Sequence, residues 1–396
     1  MSRPRRTTVA ARVLIAAALL AVIARIGGRT VLSRAVERRL NRTLVRSPYS
    51  ASPAAARLHR ELVVADLHAD SLLWGRDLLR RSTTGHLDVP RLIEGNVALQ
   101  ALSACVRVPL GLNVERNDGR TDAVILLALA QGWPRATWHS GLARALHLAA
   151  RARGMADRSA GRLTVVDSAA VLAGYLERRR SDPAMTACLL TIEGGSALDG
   201  DPRNVDVLAD AGFRMVGPVH MFDNPFAGSA SGVGKGGLTK RGRELVARLE
   251  ARRIVVDVAH ASAATIDDVL AMATRPVVAS HTGLRGTCDT VRNLSDDQVR
   301  GIAATNGIVG VGFWPTVTCG RDPAAIARSV VHAVDVAGID HVGLGSDFDG
   351  AVPVPFDATG LVQLTDALLS VGLDSPAIGA IMGGNVIRLL REALPG

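Results

Sequence analysis

Beyond residue 60 the sequence repeats one unit, a short apolar run followed by a longer stretch of helical periodicity. The runs are Leu62–Leu67, Asn96–Val106, Thr186–Ile192, Arg214–Val219, Ile254–Ala259, Pro276–Ser280, Gly307–Phe313 and His341–Ser346. Val, Ile, Leu and small residues fill them without the alternation of a strand wetted on one face, which suits parallel strands buried on both faces. Between them lie patterns such as 241–253, with Leu245, Val246 and Leu249 at helical spacing. Eight such units predict a (β/α)8 TIM barrel over residues 61–396. A hydrophobic content of 48% supplies its core and excludes disorder for the bulk of the chain. The stretch 110–180 is too long for one connection and is expected to hold extra helices.

The ends of the runs carry the chemistry. The first is followed by His68-Ala69-Asp70, the third by Glu193-Gly194-Gly195, and the fourth, fifth and sixth by His220, His260 and His281. The eighth is followed by Asp347-Phe348-Asp349-Gly350. A parallel barrel delivers the carboxyl end of every strand to one rim, so these residues are expected to converge there. A lone histidine at a strand end is usually a core or capped residue, and a lone acid is usually a helix cap. Six of eight runs ending in His or a carboxylate is another matter, because burying that many unpaired polar groups is costly without a shared cation. Imidazole and carboxylate suit zinc, with manganese or iron as alternatives.

The net charge of +9 points to nucleic acid only until it is located. Residues 1–46 hold eleven arginines and one acid, Glu37, so the remaining chain is close to neutral. With 3% aromatic residues and no basic stripe on the folded part, a nucleic-acid partner is not expected. Arg3, Arg5 and Arg6 precede the apolar run Val13 to Ala24. Residues 1–26 are therefore expected to be a signal peptide or signal-anchor membrane helix, with membrane contact over 9–26. Residues 27–60 are expected to be a basic tether. The carboxyl terminus has no GPI-type signal, so an exported or membrane-anchored protein of the cell envelope, of bacterial type, is the expectation. Four cysteines without a CxxC pair argue against a disulfide scaffold. Cys105, Cys188 and Cys319 are expected to be packed thiols, and Cys288 is left open to pairing with another chain.

Taken together, these residues resemble the renal (membrane) dipeptidase family of metallopeptidases, from about Leu62 to Leu390. The resemblance is carried by 66–70, 86–95, Ile192-Glu-Gly-Gly195, 237–242 and 256–262. It continues through Ser280-His281, Arg292-Asn293, 345–350 and Gly384-Asn385. It implies two zinc ions, His68 and Asp70 binding one, His260 and His281 the other, and Glu193 bridging them, with a metal-bridging hydroxide as nucleophile. It also implies that His220 polarises the substrate carbonyl, Arg292 meets a free C-terminal carboxylate, and Asp347 shuttles the proton. The expected partner is a dipeptide, with a homodimer left open. One departure is Pro218-Val219-His220, where the family commonly has Leu-Thr-His. The nearest alternative keeps the site and changes the substrate to an N-acyl amino acid or cyclic amide. A different class of alternative is a catalytically silent envelope binding protein.

Overall fold

The structure, a computed structural model, describes residues 33–396. Nine strands run through the described residues: β1 Val64–Asp66, β2 Val97–Cys105, β3 Leu163–Val166, β4 Thr186–Glu193 and β5 Phe213–Val216, then β6 Val255–Asp257, β7 Val277–Thr282, β8 Ile308–Val311 and β9 Val342–Leu344. All pair in parallel in the order β2-β1-β9-β8-β7-β6-β5-β4, and a β2–β4 ladder closes the ring. The closed ring of eight is the expected (β/α)8 barrel. The ninth strand, β3, lies in the stretch expected to hold extra helices, where no strand is predicted. It pairs with β4 from Thr186 to Leu189, and β5 takes over the same edge from Leu190 to Ile192.

Side-chain parity decides what faces the barrel axis. Leu99 and Ala101 on β2, with Ala187 and Leu189 on β4, belong to one interior cluster. The same parity carried upward places Cys105 and Glu193, which are register partners, inside the rim. The interior is closed at the opposite end by Val386, Leu389 and Leu390 of the carboxyl-terminal helix Asn385–Ala393. On β7, Val277 and Ala279 pack outward in the layer shared with the helices. An undisturbed strand would send His281 the same way, but the β7–β8 ladder is irregular between Ala279 and Thr282, and His281 turns to the cavity.

The amino-terminal residues differ from a free tether. In the described part of that segment a helix spans 33–40, and Thr43 bridges Val354. The helix Pro53–Glu61 packs on Leu361–Ser370, where His59 is buried between Thr365 Oγ1 and the Gly95 carbonyl. Burying an imidazole with both nitrogens satisfied ties this segment to the barrel. The expected membrane-targeting helix, 1–26, lies outside the described residues. Among those described, no helix is long and apolar enough to cross a membrane.

Candidate metal centre and active site

Glu193, at the end of β4, is the hub. Its Oε1 lies 2.7 Å from His260 Nε2, 3.2 Å from His281 Nε2 and 3.8 Å from His68 Nε2, while Oε2 lies 3.3 Å from His220 Nε2. His68 Nε2 is in turn 3.8 Å from Asp70 Oδ1 and 3.9 Å from Asp347 Oδ1. All seven side chains are buried. The structure thus brings together every residue singled out at the strand ends, with Arg292 lining the same cavity.

The cluster fits a bound cation on three counts. Nε2 of His68, Oδ1 of Asp70 and Oε2 of Glu193 are buried in the cluster with no hydrogen-bond partner. Such orphaned atoms are costly unless something else satisfies them. His260 and His281 face one another Nε2 to Nε2 at 3.0 Å. Burial holds His68 down to about 3 and lowers His260 and His281 strongly, so the rings are neutral and offer lone pairs. Meanwhile burial, and then the charge of Glu193, pushes Asp70 and Asp347 well above the carboxylate range. A divalent cation among these groups reverses both penalties, and the mixed N/O donor set suits zinc or a similar ion.

Supporting residues aim these donors. Ser280 Oγ sits 2.8 Å from His281 Nδ1; with the ring proton there, the Nε2 lone pair is free for the cluster. Asp257 accepts from the Ala259 and Ser280 amides, tying the ends of β6 and β7. Asp66 accepts from Ser346 N and Oγ and from Gln100, tying β1 to β9 and β2. Gly194 has φ +93°, and a Cβ there would meet His220 Cβ at 2.7 Å, so only glycine allows the turn after Glu193. Asp347 itself holds a left-handed φ of +58°. Asp349 does not reach the cluster. It accepts from Ser71 and the His86 amide and pairs with Arg76, whose Nε lies 2.5 Å from Glu37 Oε1.

Arg292 donates to the carbonyls of Ala259 and His281 and lies 5.9 Å from the Trp314 ring centroid, a fixed guanidinium that burial pulls down to about 10. The loop that carries it is stapled. Cys288 and Cys319 form a disulfide, which corrects the expectation of a packed Cys319 thiol and pairs Cys288, left open above, within the chain. The pairing follows from the barrel, because β7 and β8 are neighbours and bring the loops after them together. Cys105 is also more than packing: it lines the cavity and groups with Glu193 and His220, with burial keeping its thiol protonated. Val219, in place of the family's threonine, is buried in the hydrophobic core.

Comparison with known proteins agrees with this geometry. A dipeptidase tcpJ from Claviceps purpurea is 28% identical over 325 residues, covering 79% of this chain and 70% of that protein. A protein from Klebsiella pneumoniae described only by its position in the pqqA 5' region is 33% identical over 250 residues, covering 59% of this chain and 90% of that one. Among solved structures, a metallopeptidase from Rhodobacter sphaeroides, liganded with a phosphinate mimic of L-Ala-D-Ala, superposes with a TM-score of 0.68 at 27% identity. It spans 84% of this chain and 99% of that one. The membrane dipeptidase family, peptidase family M19, matches residues 53–394. The chain therefore belongs to the membrane dipeptidase family of metallopeptidases.

Proposed function

We propose that this metallodipeptidase hydrolyses the amide bond of dipeptides with a free C-terminal carboxylate, using two zinc ions. The observation that carries the reading is the buried hub of Glu193 with three histidines and Asp70, three of whose polar atoms have no partner. His68 and Asp70 would hold one ion, His260 and His281 the other, and Glu193 both. Bound there, the ions would supply an acidified water and polarise the scissile carbonyl.

The chain's own residues do the rest. Arg292, held rigidly by two carbonyls, keeps guanidinium N–H groups for a terminal carboxylate, which favours short substrates over internal peptide bonds. His220, with Nδ1 3.3 Å from the Arg107 carbonyl and Nε2 3.3 Å from Glu193 Oε2, would turn Nε2 to the substrate oxygen. Asp347, a buried carboxylate 3.9 Å from His68 Nε2 that this assignment leaves off the metals, takes a proton during attack and returns it to the leaving amine. Residues 1–26 place the enzyme in or across the cell envelope on this reading.

Elemental analysis of the purified full chain, paired with L,L and L,D dipeptides, tests it. About two zinc per chain with turnover of a dipeptide supports site and reaction together. Two metals without dipeptide turnover would redirect the chemistry to N-acyl amino acids. A folded protein that takes up no metal would leave a binding protein on an enzyme's scaffold.

A further inference from the structure

The cavity above the hub has a volume of about 440 Å³. Its two sides differ in kind. At its floor it is lined by the hub, which the ends of β1, β4 to β7 and β9 contribute, and by Arg292. Over β9, β1 and β2 it is lined by apolar side chains from three separate segments: Val36 and Leu40 of the 33–40 helix, Leu73 and Trp74 after β1, and Leu112 and Leu126 from the long connection after β2. Among the described lining residues the only other charge is Asp349, which is spent on Arg76. Leu126 and Leu112 are 55% and 50% exposed, and Val36 and Leu40 39% and 37%. Four large apolar side chains left half open at one mouth are unusual for a wall whose work is to pack. The 33–40 helix also precedes residue 53, where the family match begins. It is held in place by Glu37, which accepts from Thr84 and pairs with buried Arg76.

Resting on the dipeptidase reading, we propose that this wall is the subsite for the acyl half of the substrate, and that it selects a large apolar group there. A carboxylate anchored at Arg292 points the other half of a short substrate across the hub, toward β1 and β2. A bulky apolar first residue covers Val36, Leu112 and Leu126 and removes their exposed surface from water. An anionic first side chain loses its hydration there and meets only apolar groups and carboxylates. Val36 and Leu126 are thereby specificity-determining residues, and Glu37 is a positioning residue that holds the helix to the rim.

The test compares Phe-Gly, Gly-Gly, Asp-Gly and N-octanoylglycine with the metal-replete full chain, and measures inhibition by phosphinate dipeptide mimics with Phe or Gly in the first position. Phe-Gly is expected to exceed Asp-Gly in kcat/KM by about 100-fold, and the Phe mimic to bind tighter than the Gly mimic. Val36→Ser and Leu126→Ser should each lower the Phe-Gly to Gly-Gly ratio about tenfold. Glu37→Ala should lower the same ratio through KM rather than kcat. Equal turnover of Phe-Gly and Asp-Gly, or ratios untouched by these substitutions, overturns the wall while leaving a dipeptidase. Unchanged ratios with lost sedimentation on phospholipid vesicles would make the patch a membrane contact and overturn it as well. Turnover of N-octanoylglycine with none of the dipeptides keeps the apolar wall and overturns the dipeptidase reading instead.

Discussion

The two sides of the cavity are built on opposite rules. The floor, where the ends of β1, β4 to β7 and β9 meet, crowds carboxylates and imidazoles into a buried space where several polar atoms have no protein partner. The side over β9, β1 and β2 leaves apolar side chains half open to water. Each is poor packing taken alone, and each makes sense as one half of a complex. The first is complete when cations enter, the second when an apolar group covers it. The contrast separates reaction from selection: chemistry comes from strand ends that the barrel fixes, selectivity from segments added around them.

Substitutions can break this division, beginning with the largest effect. Glu193→Gln weakens the hub itself, so metal content should fall and turnover drop about a thousandfold or more, read by elemental analysis beside kinetics. Asp347→Asn should keep its metal and still lose about 10²–10⁴ in kcat; near-normal turnover would remove the proton-transfer role. Arg292→Ala should raise KM for free dipeptides about 10- to 100-fold and leave a C-terminally amidated analogue little changed. Opening the staple with Cys288→Ser should cost about 2–4 kcal/mol in a reversible denaturant titration, since it frees a loop of 31 residues.

The smallest effect sharpens the apolar side. One guanidinium, Arg76, serves two buried carboxylates, and Asp349 takes the closer pairing. Burial raises Glu37 from 4.5 to about 7, so the folded chain holds a proton there that the unfolded chain has released. Stability should therefore fall as pH rises from about 4.5 to about 7, by up to about 3 kcal/mol. Glu37→Gln should flatten that part of a pH–stability curve. An unchanged slope would mean that another group carries it.

Much of this was legible beforehand because a parallel barrel turns sequence order into spatial order. Knowing that His68, Glu193, His220, His260, His281 and Asp347 follow strands was enough to bring them to one rim. His68 and Asp70 flank Ala69, which bridges Phe348 beyond the end of β1, and both reach the hub. What stayed hidden depends on neighbours remote in sequence. The strand β3 has four residues and one pairing edge, too short for periodicity to show. The Cys288–Cys319 pairing needs the adjacency of β7 and β8, which no count of cysteines reveals. Glu37, a lone acid among eleven arginines, read as part of a solvated stretch; its isolation was the only signal that it had a partner to find. Asp66 and Asp257 gave a clearer one, each an acid inside or at the edge of an apolar run.

The 33–40 helix has a consequence for traffic. Ser33, the first described residue, already lines the cavity, at the end of the barrel opposite the plug of Val386, Leu389 and Leu390. A substrate that enters the cavity therefore passes beside this helix before it meets a strand end.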